Sequence, residues 1–150
     1  EQIGTPDDIY NFPKTGFVPG FIGSPAMNFV PSKIVRNGED FSVRVNENIS
    51  FSIEKDKQEN INNFNGKDVL LGIRPEHINE KISDESIEHK IKIDLVEPLG
   101  METMVYFTIN GVQLCGRVSP ENNLTSNSTI SLNFNKKKFH IIDPVTDKVL

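Results

Sequence analysis

Leu71-Gly72-Ile73-Arg74-Pro75-Glu76-His77-Ile78, written LGIRPEHI, is an apolar run that meets a proline and turns polar. Extended back to Asp68 it reads DVLLGIR, a buried type of strand. Pro75 ends it, because a prolyl nitrogen has no hydrogen for the ladder and holds φ near about −65°. A chain that stops pairing at a corner leaves backbone groups in need of partners. Arg74, with five donors on one fork, suits that task. The expectation is that Arg74 braces the corner and that Pro75 fixes its direction.

The pattern on either side is also β. From Asn28 the chain reads FVPSKIV, then Asp40 to Val45 alternates as DFSVRV and Ile49 to Ile53 as ISFSI, joined by Asn37-Gly38 and Asn46-Glu47-Asn48. Residues 54–67 are polar, with Ile61 and Phe64 three apart, and read as a loop or one short helix. Downstream, Ile87 to Leu99 contains a long strand in which Ile91, Ile93 and Leu95 alternate with Lys92 and Asp94. Met104–Ile109, Val112–Val118, Thr129–Phe134 and Phe139–Ile142 supply further short strands. Asn37-Gly38 and Asn110-Gly111 are hairpin turn signals. In EPLGMET, Gly100 suits a positive φ or a bulge before Glu102 and Thr103. Ahead of these strands, Thr5-Pro6-Asp7-Asp8 is a helix start, Ile9 and Phe12 are its apolar side, and Pro13 stops it. Phe17 and Phe21 share a helical spacing that Pro19-Gly20 keeps short. The pattern predicts an all-β small barrel or sandwich with one or two short helices at the N-terminus.

Composition narrows the function. A chain of 150 residues is one ordinary domain's worth. Apolar residues make up 36% and charged residues 25%, and no apolar run reaches the roughly 20 residues of a spanning helix. Formal net charge is −5, which disfavours nucleic acid, whose binding relies on Lys and Arg. Cys115 stands alone, so no internal disulfide forms, as suits a reducing compartment. The phosphate-cradling pattern G-x-x-x-x-G-K-[ST] is absent, and this chain is expected not to hydrolyse ATP.

FIGSPAMNF (Phe21 to Phe29), LGIRPEHI and EPLGMET (Glu97 to Thr103) together resemble the C-terminal regulatory region of ATP-binding-cassette ATPase subunits from the maltose and multiple-sugar import branch. The three signatures stand in that family's order and cover most of the chain. The resemblance implies an oligonucleotide/oligosaccharide-binding (OB) type barrel, of the transport-associated OB, MOP-like kind. Residues 1–23 would be the tail of an ATPase domain and its linker, and residues 24–150 the barrel. The signature residues with structural roles are then Gly23, Ser24, Pro25, Asn28, Gly72, Arg74, Pro75, Glu76, His77, Gly100, Glu102 and Thr103. The resemblance further implies a second copy of the chain and ABC permease subunits as partners, a regulatory protein or small solute as input, and a place at the cytoplasmic face of the membrane. ATP and Mg would belong to the ATPase domain, of which only the tail is expected in this sequence. The family often has threonine-glycine where HIIDPVTDKVL has Thr146-Asp147, so the closing hairpin departs from the pattern there.

Several residues invite a chemical reading. Arg74, Glu76 and His77 offer a cation, a carboxylate and an imidazole, yet a corner needs such groups for bracing. His89 lies among acidic residues but without a second histidine or cysteine at ligand spacing, and is read as solvated at the start of a strand. His140, in an apolar strand, is read as a structural histidine, and Lys136-Lys137-Lys138 as a solvated turn. The three N-x-[ST] matches, at Asn48, Asn123 and Asn127, carry no meaning in a cytosolic Asn-rich chain. The polar run Glu121 to Thr129 is read as a connector, although relatives of this barrel in molybdate-handling proteins bind oxyanions. No catalytic, cofactor or metal residue is assigned. The function expected is a non-catalytic regulatory and dimerisation domain of a sugar-importer ATPase subunit. Its rival is a small-molecule sensor that modulates the ATPase, while the full-length subunit would be a transport ATPase.

Overall fold

The computed structural model describes residues 27–120 and 124–150. The expected N-terminal helices, Gly23, Ser24, Pro25 and part of the Glu121 to Thr129 run lie outside them. The described strands are β1 (Asn28–Asn37), β2 (Asp40–Arg44), β3 (Ser50–Ser52), β4 (Asp68–Ile73), β5 (Ile78–Asn79), β6 (Ser86–Lys92), β7 (Leu95–Pro98), β8 (Thr103–Ile109), β9 (Val112–Val118), β10 (Thr129–Asn135) and β11 (His140–Ile142). They form three antiparallel sheets, ordered β11-β4-β1-β2-β3, β5-β10-β6 and β7-β8-β9. The inner faces share one core. Ile34, Ile61, Ile78, Ile93, Val105, Phe107 and Leu132 are fully buried, and within the core Phe51 meets Phe139 edge-on and Phe134 at a tilt. Each fully buried aliphatic or phenylalanine side chain contributes about 1.5–3 kcal/mol.

The long strand expected over Ile87 to Leu99 is two strands in different sheets. The chain bends at Ile93-Asp94: Ile93 donates its amide to Ser128 O at 2.8 Å, and Asp94 donates to Tyr106 O at 2.8 Å. Ile91 and Ile93 stay in the core, but past the bend Leu95 is exposed and Val96 packs inward instead; the apolar alternation of the sequence runs on to Leu95 and so does not reveal the change of sheet. Residues 54–67 hold two short 3-10 turns around a one-turn helix α1 (Gln58–Ile61), whose Ile61 plugs the core.

The Asn-Gly pairs of the two hairpins behave differently. At the β8–β9 hairpin, Asn110 and Gly111 form the two-residue loop, with φ of 53° and 77°, as a type I′ turn demands. At the β1–β2 hairpin the loop is Gly38-Glu39. Asn37 is the last paired residue, opposite Asp40, and Gly38 takes φ of 65°. EPLGMET is a hairpin connection between β7 and β8, closed by the Leu99 amide on Glu102 O at 2.8 Å, with Gly100 at φ of 87°.

The closing hairpin forms despite its departure from the family pattern. Asp143 accepts the Val145 amide at 2.9 Å and the Thr146 hydroxyl at 3.1 Å, and its own amide donates to Lys148 O at 2.9 Å. Asp147 occupies φ of 60°, the left-handed region in which glycine has no Cβ penalty. Asp147→Gly is therefore expected to raise stability by about 0.5–1 kcal/mol, the relief of that penalty exceeding glycine's extra unfolded entropy. Urea denaturation of the two forms measures it, and a lower midpoint in the glycine variant would contradict the strain reading.

Candidate functional site

The RPEH corner leaves β4 as a 3-10 turn, Pro75–His77, with Pro75 at its first position. The His77 amide donates to Arg74 O at 2.9 Å, Asn79 Nδ2 donates to Glu76 O at 2.9 Å, and Ile78 then pairs with Phe134 in β5. The turn packs on β9. Gly116 makes this possible: a Cβ there would stand 3.0 Å from Ile78 O and 3.1 Å from Ile78 Cγ2. Gly72 is equally confined, since a Cβ would stand 3.0 Å from Met27 Sδ and 3.2 Å from Phe29 Cε1. Both glycines are there for close approach, their φ being unremarkable.

Arg74 is buried, at 6% exposure, beneath this turn. Around its guanidinium lie His77 and His140. Burial holds His77 below its usual pKa, with Lys138, Arg74 and Arg117 pushing the same way against the pull of Glu76. Burial pushes His140 down to about 4, helped by Lys57, Arg74 and His77. Both imidazoles are thus neutral at physiological pH, packed among fixed cations. Among the described residues no group of three or more His, Cys, Asp or Glu could hold a metal ion.

A second cluster binds β1 to β9. The Asn28 carboxamide donates to Cys115 O at 2.8 Å and accepts the Cys115 amide at 2.8 Å. Burial pushes the Cys115 thiol up to about 11, so it remains protonated near neutrality. Tyr106 donates its hydroxyl to Glu97 at 2.9 Å, and Glu102 holds Arg117 Nε at 2.9 Å. Thr103 is buried opposite Val118. Beyond the β8–β9 turn, Asn110 Nδ2 donates to Pro31 O at 2.9 Å and to Val45 O at 2.5 Å.

The signature residues accordingly separate into two places. Gly72, Arg74, Pro75, Glu76 and His77 share the corner; Glu102 and Thr103 sit at the start of β8, and Gly100 in the turn before it. Asn28 reaches across to β9. Sequence reading missed Gly116 and the cross-linking of Asn110, which carry no local signal beyond residue type. It also misread His89, which is half-buried and edge-on to Phe51 at 5.3 Å and Phe134 at 6.0 Å, because the polar residues before it are on the other side of the strand. Lys136-Lys137-Lys138 is a 3-10 turn as expected, with Lys136 paired to Glu54 at 3.7 Å. An open groove of about 440 Å³ lies between the β2–β3 turn and β6, lined by Asn46, Asn48, His89, Lys90, Lys92 and Thr108.

Two outcomes test the corner. His140 titrates at about 4 in the fold against 6.5 in the unfolded chain, so it contributes stability above pH 6.5 that is lost as pH falls from 6.5 toward 4. The melting temperature should fall through that window, and His140→Gln should flatten the fall; an unchanged slope would remove His140 from the balance. Arg74→Ala should cost roughly 1–3 kcal/mol by stranding buried acceptors, whereas His77→Ala should lower the melt only modestly. An Arg74→Ala protein that melts like the parent would show that the corner stands without it.

Comparison with known proteins agrees with this geometry. Residues 23–78 match the family described as "MalK OB fold domain". The sulfoquinovosyl glycerol transport ATP-binding protein SmoE of Agrobacterium fabrum is 33% identical over 148 residues, covering 99% of this chain and 40% of that protein. The oligosaccharides import ATP-binding protein MsmX of Bacillus subtilis is 33% identical, covering 98% of this chain and 40% of its own length. The trehalose/maltose import ATP-binding protein MalK of Thermococcus litoralis is 30% identical over 159 residues, covering 100% of this chain and 41% of its own. The chain thus spans about 40% of the length of these curated relatives. Among solved structures, the molybdate-bound cytoplasmic molybdate-binding protein ModG shares the fold with a TM-score of 0.55, over 76% of this chain and 94% of that one, at 9% identity. The fold is of the OB type, residues 23–78 are similar to the MalK OB fold domain, and the chain is similar along nearly all of its length to ATP-binding proteins named for sugar and oligosaccharide import.

Proposed function

We propose that this chain is the non-catalytic regulatory and dimerisation domain of an ABC-importer ATPase subunit that energises uptake of a sugar or another small organic solute. The observation that carries the reading is the match along nearly all of this chain to proteins named for sugar and oligosaccharide import. In this reading residues 1–23 are the tail and linker of the ATPase domain and residues 24–150 the regulatory domain. Glu76, His77, Glu102 and the other signature residues shape the barrel and perform no chemistry. ATP and Mg bind the ATPase domain, permease subunits contact that domain, and the assembly sits at the cytoplasmic face of the membrane. A second copy of the domain is the partner of the barrel. Large exposed apolar side chains at Ile82, Leu99, Met101 and Val145 supply surface that such a partner can cover. The alternative, a sensing domain for a sugar or oxyanion, is favoured by one observation, the groove whose polar lining includes Asn48, Lys90 and Lys92.

Calorimetry of this chain with MgATP is expected to give no binding heat; micromolar affinity would contradict the assignment of nucleotide chemistry to another domain. Sedimentation over increasing concentration is expected to show weak self-association, and a strict monomer at high micromolar concentration would move the dimerising surface off this domain. Thermal melts with sugars and oxyanions decide the alternative, because a ligand that binds the folded state must raise the melt.

A further inference from the structure

We propose that Asn37 is a site of spontaneous deamidation, selected by the fold from three Asn-Gly pairs of equal chemical promise. The sequence places glycine after Asn37, Asn65 and Asn110, and all three asparagines are exposed. In each pair the glycine nitrogen, after losing its proton, can attack Cγ of the asparagine. Ammonia leaves with that bond, a five-membered cyclic imide forms, and one water opens it to aspartate or to isoaspartate. The net exchange is water taken up for ammonia released, with no oxidant or further reactant. Glycine offers no side chain to obstruct the attack.

The fold gives these pairs different freedom. At Asn65-Gly66 the attacking nitrogen is engaged, because the Gly66 amide donates to Ile34 O at 2.7 Å. At Asn110-Gly111 the leaving group is engaged, because Nδ2 donates to both Pro31 O and Val45 O, and turning the carboxamide toward Gly111 breaks both bonds. At Asn37-Gly38 neither restraint applies. Among the described residues the Gly38 amide donates no hydrogen bond, and Asn37 Nδ2 reaches only Ser42 Oγ, at 3.4 Å and in the open. Asn37 is also the terminal pair of its hairpin, where local opening is least costly. Conversion there adds a negative charge beside Glu39 and Asp40. Isoaspartate in addition lengthens the backbone by one carbon where Asn37 pairs with Asp40.

The test is incubation of the purified chain in native buffer at mildly alkaline pH, followed by peptide mapping that scores amide-to-acid conversion and isoaspartate at each pair. Asn37 is expected to convert first, about fivefold or more ahead of Asn65 and Asn110, the factor that one lost hydrogen bond of ordinary strength implies. Asn65 or Asn110 keeping pace with Asn37 would overturn the proposal. The same incubation in denaturing urea separates fold from local sequence. The lead of Asn37 should shrink once the Gly66 and Asn110 bonds are gone, and a lead of unchanged size in urea would equally overturn it.

Discussion

The barrel depends on one carboxamide. Each of the three sheets satisfies its own backbone, but a barrel requires the sheets to be joined where no strand pairs with a neighbour. Asn28 does this between β1 and β9. Its side chain presents a donor and an acceptor to the Cys115 C=O and N–H, so that it pairs as one more backbone unit would. Aspartate in its place would set a carboxylate against a carbonyl, and leucine would leave two half-buried groups unsatisfied at about 1–3 kcal/mol each. Asn110 repeats the device at the far end of β9, reaching β1 and β2 from the opposite side. Two asparagines thus hold the five-stranded and the β7-β8-β9 sheets at both ends.

Between those two anchors the corner at Arg74 has its place. Once β1 and β9 are fixed, the chain leaving β4 must pass close over β9, and Gly116 leaves just enough room. Burial, helped by the Arg74 charge, holds the imidazoles of His77 and His140 below their usual pKa. The polar groups that make the motif conspicuous sit in and beside a turn that packs against a strand.

Much of this could be read from the residues and some could not. The strands, the hairpins at Asn110 and Asp143 and the corner at Pro75 follow from alternation and turn chemistry, which are local. The change of sheet at Ile93-Asp94 was hidden because the apolar alternation of the sequence runs on to Leu95, which the bend leaves exposed. The β1–β2 turn was displaced by one residue, since Gly38 suffices for the positive φ and leaves Asn37 in the ladder. Asn28 could be singled out only by resemblance. Its use is a contact between residues 87 apart, and no periodicity or propensity encodes it. His89 misled because charge in the preceding residues says nothing about the face on which an alternate residue lies.

The order β11-β4-β1-β2-β3 has a consequence for how the chain comes into being. β4, beside β1 near the middle of the five-stranded sheet, receives its second neighbour from residues 140–142, far along the chain from it. Until then its outer edge carries free amides and carbonyls on an apolar strand, the kind of edge to which foreign strands add. Before that pairing forms the strand is an unguarded template, and closure must wait for contacts of long sequence separation, which form slowly.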